Sequence, residues 1–413
     1  MKVIGIIAEY NPFHNGHRYH IEQAKKQTGA DYVVVIMSGN FVQRGTPAII
    51  DKYNRTKMAL ENGADLVFEL PVNYATASAE AFAFGAVSLL HSLGFIDSVC
   101  FGCETPDLTL FERIADLFLK EPDDYKQSLY HYQKEGLCFP VARSKAALSY
   151  FSSTQNASFL DAIEEILSSP NNILAIEYIK ALMQLNSPIT PIPVLRKNAG
   201  YHDIALSGDI CSATAIRTAY AEKRNISALQ TFLPKNCCDI LENAENKTFP
   251  IAANDFSSLL YYKLLQTTDF SAYTDVSSDF ANRLKKIKTY EYSFTDYANR
   301  LKTKEMVYTR ICRNLTHILL DLKHINYKEK PGYLRLLGFK KSASFLLKKG
   351  KSSDFSPLVP VITKTADAKS ILSASAYAQF EKDVMATHLY NHICYQKYGY
   401  VIKNEFTHGP VII

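Results

Sequence analysis

The sequence lacks the features of a membrane or exported protein. No stretch reaches about 18 consecutive apolar residues, the length that a helix needs to cross a bilayer. The apolar run at residues 1–8 contains one lysine and is followed at once by Glu9 and Asn11, so it is too short and too soon polar for a signal peptide. We therefore expect a cytoplasmic chain with no membrane partner, and residues 3–8 are predicted to form a first β-strand.

Tryptophan is absent, and the sequence shows no internal repeat or low-complexity tract. The 413 residues are 47% hydrophobic and 21% charged, which argues against a disordered, collagen-like or fibrous protein. The formal net charge is only +5, too small by itself to indicate a nucleic-acid-binding protein. A chain of this length is expected to form two or three domains.

Cysteines are scattered, and they form only one close pair. The pair is a C-x-x-C, Cys100 and Cys103, among eight cysteines. A zinc site of this kind needs a second pair at ligand spacing, and none follows. We therefore predict two ordinary buried thiols in a reducing compartment, and no metal site built by the protein itself.

The first hundred residues alternate strand-like and helix-like patterns. Continuous apolar runs predict strands that are buried on both faces, at residues 3–8, 32–37, 65–70 and 98–102. The helical patterns between them predict βα units, which build a parallel sheet with right-handed crossovers. Residues 189–195 are predicted to form a fifth strand, near an edge of the sheet because the run contains prolines.

The stretch between the fourth and fifth strands, about residues 105–188, is helical and poor in glycine. It is predicted to be a helical insertion within one domain. The sequence thus predicts an α/β protein, with a Rossmann-like parallel sheet in a domain over residues 1–225. A mostly helical C-terminal domain follows over residues 226–413.

The loop after the first strand carries two histidines, in the string Ala8-Glu-Tyr-Asn-Pro-Phe-His-Asn-Gly-His17. Open α/β sheets bind ligands at the carboxyl ends of their strands. A helix that starts near His17 would direct its N-terminal N–H groups at an anion, and Gly16 would allow close approach. His14 and His17 would then stabilise charge that develops on a phosphate. The alternatives are a histidine-rich turn or two ligands of a metal site.

A second motif, Cys211-Ser-Ala-Thr-Ala-Ile-Arg217, follows the fifth strand. Ser212 and Thr214 would cap a helix and donate to phosphate oxygens. Arg217, one turn further, would offer a bidentate fork to the β- and γ-phosphates. Taken alone, this string is an ordinary helix start. Together, however, H-x-G-H and S-x-T-x-I-R resemble the two signatures of the nucleotidyltransferase superfamily, in the form found in adenylyltransferases.

Longer strings resemble the tRNA(Met) cytidine acetate ligase family over most of residues 1–220, and more weakly beyond. These strings are Glu9-Tyr-Asn-Pro-Phe-His-Asn-Gly-His17, Met37-Ser-Gly-Asn-Phe-Val-Gln-Arg-Gly45, Gly63-Ala-Asp-Leu-Val-Phe-Glu-Leu-Pro71, Phe101-Gly-Cys-Glu104, Pro170-Asn-Asn-Ile-Leu-Ala-Ile-Glu-Tyr178 and Gly200-Tyr-His-Asp203. The resemblance implies a ligase that converts ATP and acetate to acetyl-adenylate and pyrophosphate. It then implies acetylation of the N4 amino group of the wobble cytidine of elongator tRNA(Met), with release of AMP.

The resemblance also implies which residues bind ATP. The first string would surround it, through Ile7, Ala8, Glu9, Tyr10, Asn11, Pro12, Phe13, His14, Asn15, Gly16, His17, Arg18, Tyr19 and His20. Gly102 would lie against the adenosine, and Asn171 or Asn172 would donate to the nucleotide. Arg196 would reach the base or a phosphate, and Lys197 is a weaker candidate beside it. The phosphate contacts would be completed by Ser212, Thr214 and Arg217.

The loop after the second strand is expected to shape the acetate pocket, through Ser38, Gly39, Asn40 and Arg44. Arg44 either pairs with the acetate carboxylate or stays solvated. Catalysis would come from alignment and charge stabilisation by His14, His17 and Arg217, with Mg²⁺ on the phosphates. Glu69, in the third strand, is a candidate for ribose or metal contact.

Positive charge is concentrated between residues 283 and 351, where 18 Lys and Arg stand against 5 Asp and Glu, a net charge of +13. Aromatic residues interleave with these cations, namely Tyr290, Tyr292, Phe294, Tyr297, Tyr308, Tyr327, Tyr333, Phe339 and Phe345. Cations bind RNA phosphates and aromatic rings stack on bases. We therefore predict that this segment binds tRNA, through Lys340, Lys341, Lys348 and Lys349. The alternative is a solvated helical face above core aromatics.

Two other functions fit part of the sequence. A small-molecule adenylyltransferase of nucleotide or coenzyme metabolism would use both phosphate motifs but leave the basic segment without a purpose. A non-catalytic RNA-binding protein on the same scaffold would not need His14, His17 and Arg217. Motif spacing alone indicates nucleotidyl transfer to some acceptor, whereas acetate and tRNA(Met) come from the resemblance.

Overall fold

The structure, a computed structural model, describes residues 1–153, 155–197, 210–287, 293–349 and 357–413. The string at 200–203, together with Tyr290 and Tyr292, lies outside these residues. The strands are β1 (Val3–Ala8), β2 (Tyr32–Ser38), β3 (Phe41–Val42), β4 (Thr46–Pro47), β5 (Leu66–Leu70), β6 (Ser98–Cys103), β7 (Thr190–Leu195), β8 (Leu334–Phe339), β9 (Val361–Ile362) and β10 (Val411–Ile412).

The α-helices fall into two groups along the chain. Those before residue 225 are α1 (Asn15–Thr28), α2 (Lys52–Glu61), α3 (Val72–Ala75), α4 (Ala79–Ser92), α5 (Leu108–Lys120), α6 (Asp123–Lys134), α7 (Phe139–Ser152), α8 (Ala157–Ser168), α9 (Pro170–Gln184) and α10 (Ala213–Lys223). Those after it are α11 (Lys235–Ala244), α12 (Ser257–Gln266), α13 (Ser278–Lys286), α14 (Phe294–Leu301), α15 (Tyr308–Leu319), α16 (Ser344–Lys349), α17 (Ala368–Ile371) and α18 (Ala374–Tyr398). Within the described residues, none of these helices is both long and apolar enough to span a bilayer.

The long strands build one sheet in the order β10-β8-β5-β2-β1-β6-β7, with β9 beside β8. From β5 to β7 every neighbouring pair runs parallel, whereas β8 is antiparallel to β5. The predicted α/β class, with its Rossmann-like parallel sheet, is confirmed. β7 forms an edge of the sheet, where its prolines predicted it.

The apolar runs form strands because both faces of the sheet are covered. Side chains alternate along β2, so that Val34 and Ile36 enter the core on one face, while Val33 and Val35 enter the core on the other. All four are completely buried. A strand buried in this way needs apolar residues at successive positions, which is the pattern that the sequence shows.

The helical insertion occupies α5 to α9, between β6 and β7. Phe111 and Ile114 of α5 and Ile176 and Ile179 of α9 are buried in the same core as one face of the sheet. The insertion is therefore part of the sheet's packing.

The C-terminal half supplies three strands to this sheet. The domain boundary predicted at residue 225 separates these strands from the rest of the sheet. Within the mostly helical segment predicted over residues 226–413, residues 334–339 form a strand, β8, buried against β5. A short apolar run does not by itself distinguish a buried strand from a buried helix. β9 and β10 then pair with β8. The rest of this half is mostly helical and packs around a core of its own.

A buried ion cluster, defined as Lys52, Glu69, Arg335 and Glu405, joins the sheet to the C-terminal half. Lys52 Nζ lies 2.8 Å from Glu69 Oε2 and 2.8 Å from Glu405 Oε1. Arg335 pairs with both carboxylates as well. Glu69, considered from the sequence for a ribose or metal contact, is thus held by two interior cations.

Candidate active site

The two histidines of the H-x-x-H string begin α1 and hold each other in place. The backbone N–H of Gly16 donates to His14 Nδ1 (3.1 Å), and that of His14 donates to His17 Nδ1 (3.2 Å). The two rings stack with their centroids 3.6 Å apart. Because both Nδ1 atoms accept hydrogen bonds, each neutral ring carries its proton on Nε2.

Both imidazoles are neutral at pH 7. Burial, helped by the nearby Arg196 and Arg217, lowers the pKa of His14 to about 3. Burial also lowers the pKa of His17 well below its ordinary value, with smaller contributions from His14, Arg196 and His20. The pair therefore offers Nε2–H groups as uncharged donors. Fixed donors of this kind stabilise charge that develops on a phosphate during reaction.

Arg217 on α10 supports the histidine loop from behind. Its guanidinium donates to the backbone oxygen of Asn11 (2.7 Å) and to Thr214 Oγ1 (3.1 Å). Arg44 donates to the same hydroxyl (3.3 Å), so two guanidiniums meet at Thr214. Ser212 caps α10, where its hydroxyl accepts from a backbone N–H (3.1 Å). The second motif thus packs directly against the first.

A cavity of about 830 Å³ opens at the carboxyl ends of the parallel strands, lined by the sheet edge, the helical insertion and the C-terminal half. This volume is in the range of sites for cofactor-sized ligands. The predicted residues that line it are Ile7, Ala8, Glu9, Tyr10, Asn11, His14, Gly16, His17, Tyr19, His20, Arg44, Gly102, Asn171, Arg196 and Lys197. The predicted residues that do not line it are Pro12, Phe13, Asn15, Arg18, Ser38, Gly39, Asn40, Asn172, Ser212, Thr214 and Arg217.

Several of the residues outside the lining have structural contacts that account for their positions. Phe13 is buried in the core on one face of the sheet. Asn15 donates to the backbone oxygen of Thr231 (2.9 Å), and Arg18 pairs with Glu22 at the surface (2.9 Å). The predicted ATP string therefore alternates between residues that face the cavity and residues that anchor the loop.

The loop after β2 is anchored in the same way. The backbone oxygens of Ser38 and Gly39 both accept from the buried Arg55. Asn40 Oδ1 accepts from the backbone N–H of Lys52 (2.8 Å). Of the four residues predicted for the acetate pocket, only Arg44 therefore presents its side chain to the cavity.

Gly102 and Arg196 face each other beyond β6 and β7. A Cβ on Gly102 would lie 3.2 Å from Arg196 Cγ, so glycine leaves room for this side chain. Asn171 lines the cavity at the start of α9 and donates to Glu104. Asn172 is completely buried, and its Oδ1 accepts from two backbone N–H groups (2.9 and 3.3 Å). Asn171 is therefore the asparagine that can face a ligand.

The cavity also contains residues that the sequence did not single out, among them Arg143, Glu177, Arg310 and Arg313. Arg143 and Glu177 form an ion pair between two helices of the insertion. No local motif marks these positions, since tertiary packing brings them to the cavity. The available signal was the spacing of Arg310 and Arg313, three residues apart within the basic segment.

Lys340 and Lys341 lie at the end of the sheet opposite to the cavity. Lys340 Nζ is 3.2 Å from Asp65 Oδ1, and Asp65 precedes the amino end of β5, whereas the cavity opens at the carboxyl ends. The structure does not bring these two lysines to the cavity, and their contact with tRNA stays a prediction. The side chains of Lys348 and Lys349 lie outside the described part of the chain.

Several aromatic residues of the basic segment belong to the protein interior. Phe294, Tyr297 and Tyr333 are at most 2% exposed. Phe345 packs against the sheet core beside Tyr32, with ring centroids 5.3 Å apart. The three buried rings have no free face for an RNA base, whereas Phe345 is partly buried.

Comparison with known proteins shows the family to which this chain belongs. A family model described as HIGH Nucleotidyl Transferase matches residues 1–404. The tRNA(Met) cytidine acetate ligase of Caldanaerobacter subterraneus subsp. tengcongensis is 40% identical over 415 aligned residues, which cover all of both chains. The chain belongs to the tRNA(Met) cytidine acetate ligase family. A relative with the same name from Thermoanaerobacter sp. (strain X514) is 41% identical over 393 residues, 94% of this chain and 95% of the relative.

Solved structures extend the likeness to the tRNA(Met) cytidine acetate ligase family into three dimensions. The apo structure of Thermotoga maritima TmcAL matches with a TM-score of 0.92 at 30% identity, covering 100% of each chain. TmcAL bound with alpha-thio ATP matches with a TM-score of 0.90 at 30% identity, covering 100% of this chain and 99% of the other. The family resemblance stated from the sequence strings and the ligase class that it implied are confirmed.

Proposed function

We propose that this chain activates acetate with ATP and then acetylates the N4 amino group of the wobble cytidine of elongator tRNA(Met), in the cytoplasm. The observation that carries the proposal is the full-length kinship with the Caldanaerobacter ligase. The cavity supports it, because such a ligase must hold ATP, acetate and an RNA base together. Here the sheet edge, the insertion and the C-terminal half all contribute to one space.

In the first step, an acetate oxygen attacks the α-phosphorus of ATP and pyrophosphate leaves. The phosphates would lie at the start of α1, where the Nε2–H groups of His14 and His17 donate to their oxygens. Neutral donors suit this role, because they stabilise the charge of the transition state without forming a fixed ion pair with the substrate. Arg217 would act by holding the backbone of Asn11 and the hydroxyl of Thr214 in place.

The adenosine would lie beside the ends of β6 and β7, against Gly102 and between Asn171 and Arg196. Arg196 Nε is buried and has no hydrogen-bond partner among the described residues. A buried donor without a partner is costly, and an acceptor on the nucleotide would remove that cost. Lys197 lies over the Tyr19 ring, 4.9 Å from its centroid, and would cover this end.

Arg44 is the residue proposed for acetate. It lines the cavity, and its contact with Thr214 places it beside Arg217 at the phosphate end. A guanidinium binds a carboxylate through two parallel hydrogen bonds, which would aim one oxygen at phosphorus. The other predicted acetate residues, Ser38, Gly39 and Asn40, would act indirectly, because their contacts fix the loop that carries Arg44.

In the second step, the cytidine N4 attacks the acetyl carbonyl carbon and the C–O bond to AMP breaks. AMP leaves with that electron pair, and N4 loses one proton. Bases in single-stranded loops can be splayed out and held individually by a protein. The wobble base of an anticodon loop is of this kind, so it can enter the cavity.

Mg²⁺ is expected to accompany ATP. It is usually bound through substrate phosphates and one or two carboxylates, and it retains several waters. Among the described residues no group of three His, Cys, Asp or Glu side chains could hold a metal ion. The Glu9 carboxylate lines the cavity, where its Oε1 accepts from the N–H of Gln43 (2.8 Å). These residues fit a cation held mainly by phosphates, where it would neutralise their charge.

The test uses the purified chain with ATP, labelled acetate and elongator tRNA(Met). We expect acetate-dependent ATP–pyrophosphate exchange without tRNA, and labelled N4-acetylcytidine when tRNA is added. A transcript with uridine at the wobble position is the matched control and should remain unlabelled. Exchange that depends on another small acceptor would favour an adenylyltransferase of nucleotide or coenzyme metabolism. RNA binding without exchange would favour a non-catalytic protein.

A further inference from the structure

Two arginines of the basic segment, Arg310 and Arg313, line the cavity from α15. Residues three apart lie on the same face of a helix, so both side chains leave α15 on one side. Among the described lysine and arginine side chains between residues 283 and 351, these are the two that line the cavity. The other cations of this segment whose side chains the structure describes do not line the cavity.

Three other cations of the same segment have carboxylate partners. Arg335 belongs to the buried ion cluster, Lys323 pairs with Asp321 (3.1 Å), and Lys340 pairs with Asp65. Arg310 and Arg313 differ, since neither side chain makes a hydrogen bond or ion pair with the described residues.

Arg313 presents a buried hydrogen-bond donor at the wall of the cavity. Its Nε is buried and without a hydrogen-bond partner among the described residues. Burial lowers the pKa of this guanidinium, and Asp275, which also lines the cavity, opposes that effect. The other acidic group on this wall is Glu305, which approaches Gly136 of the insertion. A buried cation gains most from an anion that can accept its donors directly.

These arginines lie next to the proposed acetate site. A Cβ on Gly45 would be 2.2 Å from the backbone nitrogen of Arg313, and the hydroxyl of Thr316 donates to the backbone oxygen of Gly45 (2.8 Å). The loop that carries Arg44 is therefore packed directly on α15. Arg217 and Arg44 meet at Thr214, and the backbone next to Arg44 contacts the backbone of Arg313.

We propose that Arg310 and Arg313 bind backbone phosphates of the RNA on either side of the cytidine that receives the acetyl group. This inference rests on the proposed function. The histidine loop already supplies donors for the phosphates of ATP, whereas the two arginines belong to the segment with the concentrated positive charge. The arginine fork matches a phosphate diester in geometry as well as in charge. Binding there would hold the base beside the adenylate.

The test compares Arg310→Gln/Arg313→Gln with Lys26→Gln/Lys369→Gln. The control removes the same two charges from exposed positions that do not line the cavity. We expect the arginine variant to raise the KM for tRNA at least about tenfold, the effect of losing one to two charged hydrogen bonds. The slope of log affinity against log salt should become less steep by about 0.7 for each lost phosphate contact. The control should change neither quantity.

The readouts separate this proposal from its alternatives. Retained acetate-dependent exchange in the glutamine variant shows that the fold and the adenylate site are intact. Loss of exchange with loss of ATP binding would assign the arginines to ATP and overturn the proposal, as would an unchanged KM and salt slope. If the glutamine variant does not fold, Arg310→Lys/Arg313→Lys replaces it, because it keeps the charge without the fork. Its KM for tRNA should exceed that of the unmodified chain, and an unchanged KM would overturn the proposal. Absence of exchange in the unmodified chain would instead refute the proposed function.

Discussion

Glu405→Gln tests whether the buried ion cluster holds the C-terminal half against the sheet. The side chains of Lys52 and Glu405 are 0% exposed and that of Arg335 is 3% exposed. The substitution keeps the shape of the side chain but removes the negative charge between two buried cations. Breaking a buried pair costs about 3 to 5 kcal/mol, because the remaining charge is left uncompensated. We expect the free energy of unfolding to fall by that amount.

The matched control is Glu22→Gln. Glu22 also pairs with an arginine, since Arg18 Nε is 2.9 Å away, but both side chains are 55% exposed. Exposed pairs contribute about 0 to 1 kcal/mol. Urea denaturation at pH 7, followed by circular dichroism, measures both variants on one scale. A loss for Glu405→Gln no larger than that of the control would refute the interpretation that the cluster is dry and closely paired.

The stability of the wild-type chain and that of Glu405→Gln should also depend differently on pH. Burial alone would raise the pKa of Glu405, but Lys52 and Arg335 outweigh it and lower the pKa from 4.5 to about 2. The folded pKa is below the unfolded one, so the carboxylate stabilises the protein above pH 4.5 and loses this effect as pH falls through 2. The stability difference between wild type and Glu405→Gln should be full at pH 7 and shrink below pH 5. A difference that is independent of pH would contradict the assignment.

Three further predictions concern the cavity. His17→Ala should reduce acetate-dependent ATP–pyrophosphate exchange by about 10² to 10³, the effect of losing one fixed donor, and normal exchange would remove His17 from the phosphate site. Burial lowers the pKa of His14 to about 3 and of His20 to about 4, so the unfolded chain takes up protons first below pH 6.5. Stability without ATP should therefore fall from pH 6.5 to 4, and less steeply in His20→Gln, whereas equal slopes would argue against burial of this imidazole. Gly45→Ala should lower the free energy of unfolding by more than about 2 kcal/mol. Its φ is +71° and the new Cβ would meet the backbone of Arg313, so an unchanged melting temperature would contradict this packing.

The parts of the fold that could be predicted are those whose cause is local. β2 is continuously apolar because both of its faces are covered, and this pattern is visible without any knowledge of neighbours. β8 is also largely buried, but it is short, contains Arg335, and is preceded and followed by helical patterns, so its periodicity alone does not identify it. Its identity depends on the free edge of β5, some 270 residues earlier in the chain, which sequence periodicity does not record.

The candidate site divides in the same way. His14, His17 and the S-x-T-x-I-R string could be found because helix starts place such residues within one turn of each other. Arg310 and Arg313 could not, since only the packing of α15 on the Gly45 loop brings them to the cavity. A count of charged residues also does not show where their side chains lie in the fold. Within one basic segment, Arg335 is buried in the protein, and Arg313 faces the cavity.

The position of β5 in the sheet has a consequence for synthesis of the protein. Leu66 pairs with Phe339, and a ribosome that adds about 5 to 20 residues per second needs about 15 to 55 s to make the chain between them. For that time β5 is an uncovered edge, open to pairing with strands of other nascent chains. A charged side chain that points inward from such an edge opposes this pairing. We expect Glu69 to oppose this pairing until Arg335 is synthesised, after which the same carboxylate pairs with Arg335 in the sheet.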